Sequence, residues 1–267
     1  MIKIHVLHTG KVSVDIGVPL KQKNPLAPTG FFRKKEDRVW LPVSVYLIEH
    51  PKGRILIDTG WHTEVRNKQV KRKFGFLPIS FANLPEGQAV NEQLATLGYE
   101  TSDIDYVFIT HMDGDHIGGI KLVKDAKNIM VSEPEWNDSK KKRYFFRYKS
   151  ASWDGVEIQT FQYAKSKLGP VGRSFDVFGD GTIQLVSTPG HSNGLFTALI
   201  KGEEDTVAII GDTGYMEKSW EKMILPGLTV DKNAAKHSLE WVKKLSKEGV
   251  TILATHDPKV TPRTIIV

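Results

Sequence analysis

Thr110-His111-Met112-Asp113-Gly114-Asp115-His116-Ile117-Gly118-Gly119 is the stretch on which the reading of this chain turns. Four side chains with metal-binding donors, His111, Asp113, Asp115 and His116, fall within six positions. The residues before them, Ile104 to Ile109, are mostly apolar and rich in β-branched and aromatic side chains, which predicts a buried strand. A strand that ends in clustered imidazoles and carboxylates can present several donors to one point. Alternate residues of an extended segment point the same way. His111 and Asp113 are therefore placed to share one metal, and Asp115 and His116, past the bend at Gly114, to turn to another. Gly118 and Gly119 mark where the backbone must turn back close to another segment.

The rest of the chain bounds what such a cluster could be. At 267 residues, 40% hydrophobic and 25% charged, the chain has the composition of an ordinary globular protein with a sizeable core. No window approaches the roughly 20 apolar residues of a membrane span. With no cysteine there are no disulfides, thiolate zinc sites or thiol nucleophiles, so a metal must be held by nitrogen and oxygen. Met1 to Leu7 alternates like a first strand and lacks the features of a signal peptide. A cytoplasmic enzyme is expected. The net charge of +6 would suit an acidic partner, but the lysines are spread through the chain and read as a solvated surface, so no nucleic-acid partner is expected.

In order, Gly10 is read as a turn, with Val12–Ile16 as the hairpin partner of the first strand. Residues 22–37, with Pro25, Pro28 and Gly30, read as a loop. Val43–Ile48 and Arg54–Ile57 are predicted strands, the second running into Asp58-Thr59-Gly60. Residues 61–84 read as a loop or short helices. They carry a basic run (Lys68, Lys71, Arg72, Lys73) and an apolar one (Phe74, Phe76, Leu77, Ile79, Phe81). Val90, Leu94 and Leu97 mark one helix face ended by Gly98, and Ser132 caps a helix that follows the strand 128–131. Lys140–Lys149 reads K-K-K-R-Y-F-F-R-Y-K. It suits a helix end whose aromatics pack inward while its lysines stay wet, with a pocket wall as second reading and a nucleic-acid or membrane surface behind it. Residues 175–186 form a hairpin, 195–200 and 207–210 are strands, Lys232–Lys247 is a helix capped by Asp231, and 251–255 is the last strand. Ile55-Leu56-Ile57-Asp58-Thr59-Gly60-Trp61 and Ile209-Ile210-Gly211-Asp212-Thr213-Gly214-Tyr215 are near-copies, one in each half of the chain.

The central motif resembles the H-x-H-x-D-H signature of the metallo-β-lactamase superfamily, with Asp113 where the family has its second histidine. The other signatures recur in family order: His191 in Thr188-Pro189-Gly190-His191, Asp212 at a strand end, and the terminal His256-Asp257. This resemblance implies an α/β fold, the four-layer αββα sandwich, as a single domain over residues 1–267. It further implies two divalent metal ions. His111, Asp113 and His191 would hold one, Asp115, His116 and His256 the other, with Asp212 bridging and Asp58 beneath the site orienting a ligand. A hydroxide shared by the ions would be the nucleophile.

Taken whole, the chain is most similar to the N-acyl homoserine lactonases, through P-V-S-V-Y-L-I before I-L-I-D-T-G, T-P-G-H-S and the D-x-x-Y of Asp212 and Tyr215. That implies hydrolysis of a small-molecule lactone or ester. Tyr215 would donate to the substrate carbonyl oxygen, Asp115 would pass a proton to the leaving alkoxide, and the apolar residues of 74–81 would receive an acyl chain. Zinc is the expected metal. Asp113, a hard oxygen donor, shifts preference toward iron or manganese and cancels the net positive charge that two divalent ions leave against Asp115, Asp212 and hydroxide. A metal-poor binding module is disfavoured by the intact ligand positions, and two rivals that keep a reacting metal site stand beside this reading. A phosphodiester hydrolase is favoured by the basic surface and disfavoured by a neutral site. A diiron oxygen or nitric oxide reductase is suggested by the flavodiiron branch, which also has a carboxylate at this position, and disfavoured by the absence of a flavodoxin-like domain. His5, His8, His50, His62 and His237 read as packed or surface residues, with His62 alone near the pocket.

Overall fold

Strands in which nearly every residue is apolar must be covered on both faces, and 45–48, 55–57, 107–109 and 207–210 are such strands. The computed structural model describes residues 1–67 and 79–267. The first sheet contains β1 (Lys3–Asp15), β2 (Arg38–His50), β3 (Gly53–Ile57), β4 (Ser80–Asn83), β5 (Tyr106–Ile109), β6 (Ile129–Ser132) and β7 (Gln159–Phe161). The second contains β8 (Ala164–Lys165), β9 (Arg173–Asp176), β10 (Ile183–Ser187), β11 (Phe196–Lys201), β12 (Thr206–Ile209) and β13 (Thr251–Leu253), after which β14 (Arg263–Ile266) returns to the first. Strand order is β14-β1-β2-β3-β5-β6-β7, with β4 also on β1, and β13-β12-β11-β10-β9-β8.

Strand parity sets four layers. Tyr46, Ile48, Ile55 and Ile57 face Leu185, Phe196, Val207 and Ile209 in a core between the two sheets. The residues between them point outward: Val45, Leu47 and Leu56 pack against Val90 and Leu94 of α1 (Val90–Thr96). On the far side Ala208 and Ile210 meet Trp220 of the short α4 (Glu217–Lys222) and Leu239 and Val242 of α5 (Lys232–Lys247). Each such side chain contributes roughly 1.5–3 kcal/mol on burial. Two further helices among the described residues are α2 (Gly114–Ile117) and α3 (Glu133–Ser139). Asp231 caps α5, accepting from the backbone N–H of Asn233 and Ala234 at 2.8 and 3.0 Å. This is the expected αββα sandwich. No helix among the described residues is long and apolar enough to cross a membrane.

Several local expectations are corrected. Gly10 does not turn a hairpin. It is a bulge inside one long strand, where the register with β2 shifts between His8 and Lys11. Its φ of +79° and the Asn83 carbonyl, 2.2 Å from where a Cβ would sit, explain the glycine. The end of the 61–84 loop is a strand, β4, antiparallel to β1. Residues 22–37 contain two short 3-10 turns, at 27–29 and 35–37. Leu97 is partly exposed rather than part of the helix face. Ser132 precedes α3 without capping it by its side chain, because its hydroxyl donates to the Gly194 carbonyl. The basic run 68–73 and the apolar residues Phe74, Phe76 and Leu77 lie outside the described residues.

The pairings β3/β5 and β12/β13 are parallel. Their C-terminal ends therefore lie on the same edge of the sandwich, and Asp58, His111, Asp212 and His256 all follow these ends.

Candidate metal centre

The centre is built from a backbone frame inward. Asp58 follows β3 with φ +62°, so its carboxylate turns under the next strand. There it accepts the Thr110 N–H at 2.7 Å, the Thr110 hydroxyl at 2.8 Å and His116 Nδ1–H at 2.8 Å. The Thr59 N–H donates to the His116 carbonyl, which draws the two loops together. A Cβ on Gly119 would lie 2.3 Å from the Thr59 oxygen; this is the close approach its glycine permits.

Three histidines are held through Nδ1 by groups that only accept: His116 by Asp58, His191 by the Leu228 carbonyl at 2.9 Å and His256 by the Pro42 carbonyl at 2.8 Å. Each Nδ1 therefore carries the proton and each Nε2 presents a lone pair inward. Asp58→Asn, which weakens the first of these supports, is expected to lower cation affinity about 10- to 100-fold. Competition with a chromophoric chelator would measure it, and an unchanged affinity would show that Asp58 only packs.

Two groups of donors converge: Asp115, His116 and His256, and His111, His191 and Asp212. Asp212 reaches both, with Oδ1 3.4 Å from His116 Nε2 and 3.3 Å from His256 Nε2, and Oδ2 3.8 Å from His111 Nε2 and 3.6 Å from His191 Nε2. Asp115 Oδ2 lies 3.6 Å from His256 Nε2. Donors held at about 2.0–2.2 Å around a tetrahedral cation are about 3.3–3.6 Å apart. His111 Nε2, His116 Nε2 and Asp212 Oδ1 are buried without a hydrogen-bond partner among the described residues, which is costly unless something else binds them. The group of Asp115, His116 and His256 with Asp212 fits a divalent cation on both counts.

The other group differs from the sequence expectation at Asp113. Its Oδ2 lies 3.3 Å from His111 Nε2 and 3.0 Å from His191 Nε2, but both its oxygens accept from Arg147: Nε to Oδ1 at 2.6 Å and Nη2 to Oδ2 at 2.8 Å. Burial would raise the Asp113 carboxyl, but the Arg147 charge and the two hydrogen bonds that Arg147 donates hold it well below the usual carboxylate range. Arg147 also donates from Nη1 to the His191 carbonyl at 2.9 Å and from Nη2 to His191 Nε2 at 2.8 Å. The donors of Asp113 and His191 are thus already engaged, and this group does not fit a cation as the first one does.

Sequence reasoning missed Arg147 and its support. In Lys140–Lys149 the aromatics do not all pack inward: Phe145 and Phe146 are exposed, while Tyr148 is buried. The Tyr148 hydroxyl donates to Glu135 at 2.8 Å. Glu135, fully buried, also accepts the N–H of Met112 and of Gly194, beside His111 and beyond His191. The bias of the 140–149 segment was the available signal, and its second reading, a pocket wall, comes nearest.

Tyr215 stacks on the His256 ring, with centroids 5.0 Å apart and an interplanar angle of 18°. Burial pushes its hydroxyl well above the usual range and the Asp212 charge reinforces the shift, so it remains a donor at neutral pH. Val39, Trp61, Ile79, Met216 and Leu228 pack around the cluster that contains Tyr215. Phe81 is exposed, beneath the Arg38 guanidinium. Of the other histidines, His62 caps the 3-10 turn 63–66, His5 pairs with Glu49, His8 meets the Val260 carbonyl, His50 stacks on Phe178, and His237 is exposed on α5.

Residues 38–256 match the family described as the metallo-beta-lactamase superfamily. The N-acyl homoserine lactonase AttM of Agrobacterium fabrum is 27% identical over 224 residues, covering 82% of each chain. The N-acyl homoserine lactonase AiiA of Bacillus thuringiensis subsp. kurstaki is 26% identical over 224 residues, 81% of this chain and 82% of the relative. A solved N-acyl homoserine lactone hydrolase, with the product N-hexanoyl-L-homoserine at its catalytic metal centre, superposes with a TM-score of 0.78 at 22% identity over 98% of both chains. It shares the fold.

Proposed function

Because the chain belongs to the metallo-β-lactamase superfamily, we propose that it is a metal-dependent hydrolase that opens a small-molecule lactone, of N-acyl homoserine lactone type, or a related ester. The observation that carries this reading is the set of inward Nε2 and carboxylate donors at Asp115, His116, Asp212 and His256, three of whose side chains are almost fully buried, with Tyr215 stacked beside them. The relatives named as N-acyl homoserine lactonases support the substrate class.

These four residues would hold the cation, with zinc expected and iron or manganese compatible with nitrogen and oxygen donors. When bound, such a cation polarises the carbonyl and makes a water acidic enough to attack near neutral pH. The chain supplies the rest. Asp58 and the Pro42 carbonyl fix the imidazoles of His116 and His256 so that these donors do not reorganise during reaction. The Tyr215 hydroxyl, kept protonated by burial, donates to the carbonyl oxygen as negative charge develops there. Asp115, at the more exposed side of the group, would take the proton that the attacking water loses and pass it to the leaving alkoxide as the ring C–O bond breaks, giving the open hydroxy acid. Ile79, Met216 and Leu228 offer apolar surface for an acyl chain near Tyr215.

Protein purified without chelator should contain a divalent cation. Assayed against lactones, aliphatic esters and phosphodiesters, it should turn over N-hexanoyl homoserine lactone with the highest kcat/KM. Preference for a phosphodiester, or consumption of oxygen with a reductant, would replace this reading by one of its rivals. Tyr215→Phe should lower kcat by about 10- to 1,000-fold at unchanged metal content. Equal kinetics in the two proteins would remove Tyr215 from the reaction.

A further inference from the structure

Arg147 is placed where a histidine-rich metal site has no evident use for a cation of the protein's own. Its guanidinium meets the Asp113 carboxylate edge to edge, at 2.6 and 2.8 Å, in the fork geometry that makes arginine–carboxylate pairs specific. The same Nη2 lies 2.8 Å from His191 Nε2. Since His191 Nδ1–H is donated to the Leu228 carbonyl, the Nε2 lone pair is the one a metal would need, and an N–H of Arg147 takes it.

The arginine is fixed from three further sides. Nη1 donates to the His191 carbonyl, the guanidinium lies 5.2 Å from the Tyr148 ring centroid, and Tyr148 is tied to the buried Glu135. Both partners of the ion pair are only about a fifth exposed, at 21% and 22%. A divalent cation among His111, His191 and Asp212 would lie within a few ångströms of this positive charge and would compete with it for His191. Among the described residues no such cation of the protein stands at Asp115, His116 and His256, where His116 Nε2 and Asp212 Oδ1 have no partner.

We propose that the Arg147 guanidinium, paired with Asp113, serves as a built-in cation in place of a metal at the His111–His191 side, so that the chain holds one divalent ion, in the pocket of Asp115, His116, Asp212 and His256. This rests on the metal-dependent reading above and assigns the chain's own residues within it. Asp113 and Arg147 then form one device: the carboxylate at the position where the family has a histidine anchors the arginine, and together they leave the net charge of that side unchanged. The residues serve as positioning groups that hold His191 and keep the second cation out.

The test is zinc stoichiometry. Wild-type protein, saturated with zinc and passed through a desalting column, should retain one equivalent by elemental analysis, and its cobalt titration should develop its visible absorption to a single endpoint at one equivalent. In crystals soaked with zinc, the anomalous peak should lie among Asp115, His116 and His256. Arg147→Met, and the double variant Asp113→His with Arg147→Met, should each gain capacity toward two equivalents, with far-ultraviolet circular dichroism confirming a folded chain. Two retained equivalents in the wild type, or an anomalous peak between His111 and His191, would overturn the proposal while leaving a metal-dependent hydrolase standing. Should the variants not fold, the wild-type stoichiometry and peak position still decide. A wild type that retains no zinc and hydrolyses lactones unaided would overturn both readings.

Discussion

Asp212→Asn is expected to lower kcat/KM for the best lactone by roughly 1,000-fold or more and to release the bound cation, a larger effect than the 10- to 100-fold typical of residues that only support a ligand. The reason is position. Asp212 follows β12 and reaches both donor groups, 3.3 and 3.4 Å from His256 and His116 on one oxygen and 3.6 and 3.8 Å from His191 and His111 on the other. Asparagine keeps the shape but loses the negative charge and turns one acceptor into a donor that faces imidazole lone pairs. The fold should survive, because no backbone hydrogen bond depends on the charge. Metal analysis with steady-state kinetics on the same preparation measures both effects. Activity within tenfold of wild type would mean that Asp212 is not part of the reacting centre.

Glu135→Ala should be the most destabilising of these changes, by about 3 kcal/mol or more, since each buried group left unsatisfied costs about 1–3 kcal/mol. Three donors lose their acceptor at once: the Met112 N–H at 3.0 Å, the Tyr148 hydroxyl at 2.8 Å and the Gly194 N–H at 3.1 Å. Gly194 packs so closely on Glu135 that a Cβ there would lie 2.3 Å from its Cβ, so the surrounding backbone has little room to relax. For a chain of this size the loss corresponds to about 6–12 °C in Tm. Glu135→Gln, which keeps the shape and one acceptor oxygen, should cost less. A melting temperature equal to wild type would show that the three donors find other partners.

The legible part of this protein is the part whose physics is local. Strand parity at Tyr46-Leu47-Ile48, Ile55-Leu56-Ile57 and Val207-Ala208-Ile209-Ile210 fixes which residues face which layer, because side chains alternate along an extended backbone whatever lies around it. The clustering of His111, Asp113, Asp115 and His116 after a buried strand could likewise be read in one window, and the two D-T-G strand ends, at Asp58 and Asp212, could be recognised as related. That one of them would lie beneath His116 and the other between two donor groups depends on which sheet each strand joins, and the resemblance to a family, rather than the residues themselves, carried that assignment.

What only the tertiary structure decided lies where distant segments meet. A glycine at position 10 between apolar residues looks the same in a hairpin turn as in a bulge. The choice follows from β2 running on beside both halves of β1 and from the Asn83 carbonyl that fills the space of a side chain. Arg147 is the larger case. In the sequence it is one cation among several in a basic, aromatic segment. Its partners, Asp113 and His191, stand 34 and 44 residues away on opposite sides of it, and the Glu135 that anchors its neighbour Tyr148 stands 13 residues before that tyrosine. No periodicity encodes such pairings. They arise because the two sheets bring the loops after β5 and β10 to one edge, where a buried carboxylate and an arginine find each other only once the chain has closed around them.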